Sequence, residues 1–191
     1  EYRRVDLDGG GRSGGGWPQT GRDVLAALAA LDGPVAEQLG LAGIAVDRRD
    51  VAVVGHSAGG QLAVWAVAHL GARTQRHRIT TVVPQSAVLD FTVPDVRDKA
   101  SVVALLGATY AEAPQRYRDA SPAHGPISDA LIAVVHTTQD QSVPVERSRQ
   151  YVQTMAERGQ RVTLTEVPGD HAAFLDLRSA AHRQTLRTLG R

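Results

Sequence analysis

Cysteine is absent from the 191 residues. Disulfides, thiolate catalysis and cysteine-based metal sites are therefore excluded. That absence permits any redox compartment. Methionine occurs once, at Met155, and lysine once, at Lys99, so the other 20 of the 21 basic residues are arginine. No apolar run approaches the roughly 18 residues of a membrane span, and no basic-then-apolar signal segment opens the chain. The first residue is Glu1 rather than methionine, so the sequence reads as a processed chain or a fragment whose start lies upstream. Formal net charge is only +1, which removes the electrostatic case for nucleic acid or an anionic membrane as partner. The arginines form no run of five or more, the pattern of a solvated surface. Among the His, Asp and Glu residues there is no H-E-x-x-H or similar spacing, so neither a metal nor a cofactor is expected.

What is present is an alternation of short β-branched runs and helical patterns. "EYRRV" (1–5) reads as the end of a strand, followed by a glycine-rich loop to Gln19. Thr20 can cap a helix carrying Val24, Leu25, Leu28 and Leu31 at three-four spacing, interrupted at Gly33-Pro34 before Val35 and Leu39. "DVAVVGHS" (50–57) is a buried strand, and "AGGQLAVWAVAHLG" (58–71) a helix closed by Gly71. Further strands are read in 78–90, 130–140 and 161–169. Further helices are read over 95–106, 144–159 and 172–190, with a turn-rich stretch over 107–126. This order predicts one α/β domain over 1–191, with a mostly parallel sheet and helices on both faces.

The glycine-rich loop contains Gly9-x-Gly11-x-x-Gly14, the letter pattern of a dinucleotide fingerprint. Its third glycine should open a helix packed on the preceding strand. Here Gly14 is followed by Gly15, Gly16, Trp17 and Pro18, so no helix can begin until about Thr20. Asp32, near the distance expected of a ribose ligand, falls at the end of that helix rather than after a second strand. Six glycines in the eight residues 9–16 match many patterns. The stretch reads as a connection whose end Trp17-Pro18 anchors near the active-site face.

"GHSAG" (55–59) is G-x-S-x-G between a strand and a helix, the setting in which that motif lifts a serine clear of a sheet. Glycines two before and two after Ser57 are read as relieving crowding at the turn. The backbone N–H of Ala58 would face a developing oxyanion. A serine hydroxyl needs a base. In this arrangement the partners follow in the order serine, acid, histidine. Asp140 lies three residues beyond strand 130–137, and His171 follows strand 161–167, both at the sheet edge where Ser57 emerges. His171 would take the Ser57 proton, and Asp140 would orient the imidazole. Asp90 is the best rival acid. Asp170 adjoins His171 and diverges from it, and Asp176 lies within the final helix. His56 is read as structural or rim and His136 as a core histidine. His69, His77, His124 and His182 do not follow strands in the required order.

"GHSAGGQLAVWA", "D..VP" (140–144) and "GDHAAFLD" resemble the α/β-hydrolase superfamily, most closely its small esterase, kynurenine-formamidase-like and prolyl-oligopeptidase-like members. "EYRRV…GGGWPQTGRDVLAAL" is similar to the segment after the fourth strand of that group, and "YRDASPA" (117–123) to the element ahead of its penultimate strand. The resemblance implies a serine hydrolase of the carboxylesterase or lipase type, acting on a small ester or amide. Arylformamidase or peptidase activity is the runner-up, and a non-catalytic interaction domain on the same scaffold is the alternative class. Two departures stand out. The family's His-Gly-x-x-Asp is "HTTQD" here, with Thr137 in place of the glycine. No H-G-G loop precedes Ser57, and no histidine precedes His56. The expectation is that the first strands and the second oxyanion donor lie upstream of Glu1. Loss of one such donor costs about 3–4 kcal/mol of transition-state stabilisation, so the 191-residue chain alone is expected to be weak or inactive.

Overall fold

The computed structural model describes residues 1–5 and 14–190. Four strands, β1 (Val51–His56), β2 (Ile79–Gln85), β3 (Leu131–Thr137) and β4 (Val162–Val167), form one sheet in the order β1-β2-β3-β4. Every pairing is parallel. Eight helices accompany them among the described residues: α1 (Gln19–Ala29), α2 (Pro34–Leu41), α3 (Ala58–Leu70), α4 (Pro94–Arg97), α5 (Ala100–Leu106), α6 (Pro114–Ala120), α7 (Val145–Glu157) and α8 (Ala180–Thr188).

Residue alternation along the strands divides the core in two, because successive side chains leave a strand on opposite faces. Val82, Ile132 and Val134 meet Ala63, Val67, Tyr151 and Met155 of α3 and α7, with Leu28 of α1 behind them. Val83, Ala133 and Val135 meet Phe174 and Ala181 on the other face, where α8 lies. The sheet is parallel and covered on both faces, as the alternation of elements predicts. Since all four strands run the same way, the loops leaving their carboxyl ends collect at one edge.

Several local readings are corrected. Residues 1–5 form no strand; instead the Arg3 guanidinium forks onto Asp23 of α1, at 2.7 and 2.9 Å. Thr20 does not cap α1, which begins one residue earlier. Its hydroxyl accepts from the Gly16 N–H at 3.0 Å and donates to the Arg3 carbonyl at 2.8 Å, tying two segments together. The span 95–106 holds two short helices, α4 and α5, and the turn-rich stretch holds α6, opened by Pro114. Residues 172–190 are not one helix. After a 3-10 turn at Ala173–Leu175, Asp176 accepts from the Arg178 N–H at 2.9 Å and Ser179 caps α8 by accepting from the His182 N–H at 2.9 Å. These side chains start a new helix rather than continue the old one. Trp17 packs edge-on against Trp65 at 4.6 Å. Trp65 lies two turns along α3, about 10 Å from its start, so Trp17 anchors the flank of α3 and not the edge where Ser57 emerges.

Gly9 and Gly11 lie outside the described residues. Asp32 is committed elsewhere than to a ribose. Its carboxylate accepts from Thr74 Oγ1 (2.7 Å), the Gln75 and Arg76 N–H groups (2.6 and 3.1 Å) and His77 Nδ1 (2.8 Å). Desolvation pushes its pKa up, but these hydrogen bonds outweigh that and hold it at about 2. A carboxylate held below its ordinary value stabilises the fold at higher pH and loses that contribution as pH falls through its folded value. Asp32→Asn is therefore expected to lower the urea midpoint at pH 7. The deficit should shrink as pH falls from about 4 towards about 2; an equal deficit at pH 7 and pH 2.5 would contradict this account.

Candidate active site

β1 ends at His56 and α3 begins at Ala58, leaving Ser57 alone to turn the chain. The Ser57 N–H donates to the Gln85 carbonyl of β2 at 2.8 Å, and its carbonyl accepts from Gly60 and Gln61. Both ends of the residue are thus fixed, and its backbone sits at φ 53°, ψ −120°. Left-handed φ values are costly for residues with a Cβ and are retained where the surroundings impose them. Only Ser57 and Ser86 among the described non-glycine residues have positive φ.

Glycines close the turn, though not both of those in the motif. A Cβ on Gly55 would lie 2.3 Å from the Gly59 carbonyl oxygen, and one on Gly60 would lie 2.7 Å from the Ala87 Cβ and the Gly55 oxygen. A Cβ on Gly59 meets nothing within 4 Å among the described residues. Gly60, outside the five-residue motif, carries the crowding assigned from sequence to Gly59. The reason is that helix α3 turns Gly60 down onto β1 and β2 while Gly59 faces away.

The structure brings Ser57, His171 and Asp140 together. Ser57 Oγ lies 2.9 Å from His171 Nε2, and His171 Nδ1 lies 2.7 Å from Asp140 Oδ2. A carboxylate only accepts, so Nδ1 carries the proton and Nε2 is left to accept from the hydroxyl. The Asp140 side chain is fully buried. Its Oδ1 accepts from the Ser142 and Val143 N–H groups, each at 2.8 Å. Burial pushes the Asp140 pKa up, while hydrogen bonds from Val143, His171 and Ser86 more than reverse this and hold it below the ordinary carboxylate value. Ala58 opens α3, so its N–H has no intrahelical acceptor and stands beside Ser57.

The rival acids are placed elsewhere. Asp90 accepts from Thr92 N and Oγ1 and lies 3.4 Å from His124, away from His171. Asp170 and Asp176 each accept from a backbone N–H two residues on. His136 is wholly buried, with Nε2 donating to the Val143 carbonyl (2.9 Å) and Nδ1 accepting from Ser148 Oγ (2.7 Å). Burial lowers its pKa. It holds the Asp140 loop against α7. His69 stacks on Trp65, and His77 is bound to Asp32. No group of three or more potential metal ligands occurs among the described residues.

Two further residues support the set: Ser86, not singled out from sequence, and His56, read there as structural or rim. Ser86 follows β2 at the same edge with φ 43°, is wholly buried, meets Thr137 Oγ1 at 3.1 Å, and helps to hold the Asp140 pKa down. Thr137 is the departure from the family's glycine, and its hydroxyl meets Ser86 Oγ at 3.1 Å. His56 is a structural support of the site. Its Nε2 donates to the His171 carbonyl at 2.8 Å, and its ring packs on His171 and Phe174. Burial pushes its pKa down, so the imidazole is held neutral beside His171. Position after a strand could have pointed to Ser86; its backbone strain is not written in residue identity.

A strand–serine–helix elbow on a covered parallel sheet defines the α/β-hydrolase class. A profile of the prolyl oligopeptidase family matches residues 2–185, and the chain belongs to that family. Among curated proteins none matches by sequence. Solved structures of similar fold include a truncated carbohydrate esterase from gut microbiota, at TM-score 0.73 and 20% identity over 92% of this chain. An acetyl ester-xyloside bifunctional hydrolase from Caldicellulosiruptor lactoaceticus superposes at TM-score 0.69 with 22% identity over 92% of this chain. Pyrococcus horikoshii acylaminoacyl peptidase superposes at TM-score 0.61 with 18% identity over 89% of this chain. The chain spans 68%, 65% and 26% of those three chains, respectively. No single helix among the described residues is long and apolar enough to cross a membrane.

The glycine geometry makes a three-way prediction. Gly55→Ala and Gly60→Ala should each destabilise the fold by about 1–3 kcal/mol through overpacking. Gly59→Ala should be neutral or stabilising by up to about 1 kcal/mol, because alanine is the better helix former. Chemical unfolding of the three variants reads this directly, and a destabilised Gly59→Ala would refute it.

Proposed function

We propose that the chain is a serine hydrolase that cleaves a small carboxylic ester or amide through an acyl-enzyme on Ser57. The observation that carries this reading is the unbroken relay from Ser57 Oγ through His171 to Asp140, at 2.9 and 2.7 Å. His171 Nε2 takes the hydroxyl proton as Ser57 Oγ bonds to the substrate carbonyl carbon. Asp140, held as the carboxylate, stabilises the imidazolium. The Ala58 N–H donates to the oxyanion. Collapse of the tetrahedral adduct breaks the bond to the leaving group, which receives the proton from His171. Water then repeats the sequence, giving up a proton to His171 and releasing the acid and Ser57.

Ester cleavage is favoured by the esterases among the structural neighbours. Membership of the prolyl oligopeptidase family and the likeness to an acylaminoacyl peptidase support the second reading, an amide or peptide substrate. Both readings use the same relay and differ in the leaving group. Parallel assays with a nitrophenyl ester and an aminoacyl nitroanilide distinguish them.

A fluorophosphonate probe should label the protein at Ser57, and Ser57→Ala should abolish labelling; labelling that persists in that variant would refute the assignment. Ser86→Ala removes a hydroxyl that helps to hold Asp140 as the carboxylate, so turnover should fall about tenfold or more with KM little changed. Unchanged turnover would confine Ser86 to a packing role.

A further inference from the structure

The amino ends of β1 and β2 carry a charge cluster that the linear sequence disperses. Arg48 and Arg49 precede β1; Arg73, Arg76 and Arg78 precede β2. The backbone joins these two segments firmly. The Arg78 N–H donates to the Arg48 carbonyl at 2.7 Å, and the Val51 N–H donates to the Arg78 carbonyl at 3.0 Å. Arg73 and Arg78 face one another across an antiparallel bridge. All five arginines line one cavity of about 260 Å3. All five residues are exposed, as a solvated surface requires, but the fold brings them together in one cluster.

None of the five guanidinium groups has an ion-pair partner among the described residues. The nearby carboxylates are occupied otherwise. Asp32 is taken up by the 74–77 turn, Asp47 accepts from the Arg49 N–H, and Asp50 accepts from Thr80. Like charges gathered on a fixed backbone repel one another, and an anionic ligand relieves that repulsion. One carboxylate has two oxygens and satisfies one or two guanidinium forks. A phosphate chain presents several oxygens and several charges to such forks at once.

We infer that this cavity is a binding site for a soluble ligand bearing a polyphosphate chain. It lies at the sheet edge opposite Ser57, one strand length or roughly 20 Å away. It is therefore separate from the hydrolytic reading and does not depend on it.

Inorganic tripolyphosphate titrated calorimetrically into the full chain at low salt is the test. Saturable one-to-one binding is expected, weakening as salt is raised and unchanged in Ser57→Ala. Arg73→Gln/Arg76→Gln and, independently, Arg48→Gln/Arg49→Gln should each weaken binding by about tenfold or more, since each removes charge-assisted hydrogen bonds. Arg22→Gln/Arg118→Gln, on another surface, should leave it unchanged. Absence of saturable binding, or an equal loss in that control pair, would overturn the proposal. So would binding to phosphatidylserine vesicles without affinity for tripolyphosphate, which would make the cluster a lipid-facing surface.

Discussion

The hydrogen bond from the Ser57 N–H to the Gln85 carbonyl, 2.8 Å long, is the constraint on which the candidate site depends. It extends the β1–β2 ladder one residue past the strand, so β1 cannot release the chain before Ser57. Helix α3 must nevertheless begin at Ala58. One residue therefore makes the whole change of direction, and φ 53° follows. Gly55 and Gly60 are the corresponding steric condition: backbone passes where their side chains would stand. The strain at Ser57 is held by the sheet below it rather than by contacts of its own side chain, which stays free to meet His171.

The second half of the site is electrostatic. Asp140 is an ionised carboxylate with a fully buried side chain, and such a group persists only when its oxygens are well supplied with donors. Two backbone N–H groups and His171 supply them, and Ser86 adds to the lowering of the Asp140 pKa. His136 and His56 flank the relay, and burial lowers the pKa of both. Each spends its Nε2–H on a backbone carbonyl; His136 Nε2 lies 3.7 Å from Asp140 Oδ2, beyond hydrogen-bond reach, so His171 at 2.7 Å holds that oxygen. The arrangement leaves one histidine facing Ser57 and uses the others as struts.

The alternation of elements and the three converging residues were legible because they rest on local signals. A β-branched run ending in glycine, a helix closed by Gly71, and loops after strands can each be read within about fifteen residues. What was not legible depends on partners distant in sequence. Residues 1–5 carry strand-like residues but have no neighbouring strand among those described, and Arg3 turns to Asp23 instead. Thr20 has the composition of a cap, yet its hydroxyl bridges Gly16 and Arg3. The break before α8 is set by Asp176 and Ser179, two helix-compatible letters whose side chains take backbone donors. Gly59 and Gly60 are identical in sequence, and only the direction in which α3 faces separates their roles.

A parallel sheet also sorts chemistry by edge. Every loop leaving a strand emerges on one side and every loop entering a strand on the other. Ser57, Ser86, Asp140 and His171 share the first edge because each follows a strand; Arg48, Arg49, Arg73, Arg76 and Arg78 share the second because each precedes one. The same topology that lets three distant loops build a relay therefore gathers five arginines that the sequence places in two separate segments. Strands β1 and β2 are common to both edges, and their register from Val51 to His56 fixes the separation. Substitutions among the arginines act on exposed side chains outside the strands, leaving that register and the ladder bond under Ser57 intact. The arginine cluster at one edge and the Ser57 relay at the other are for that reason physically separable features of a single sheet.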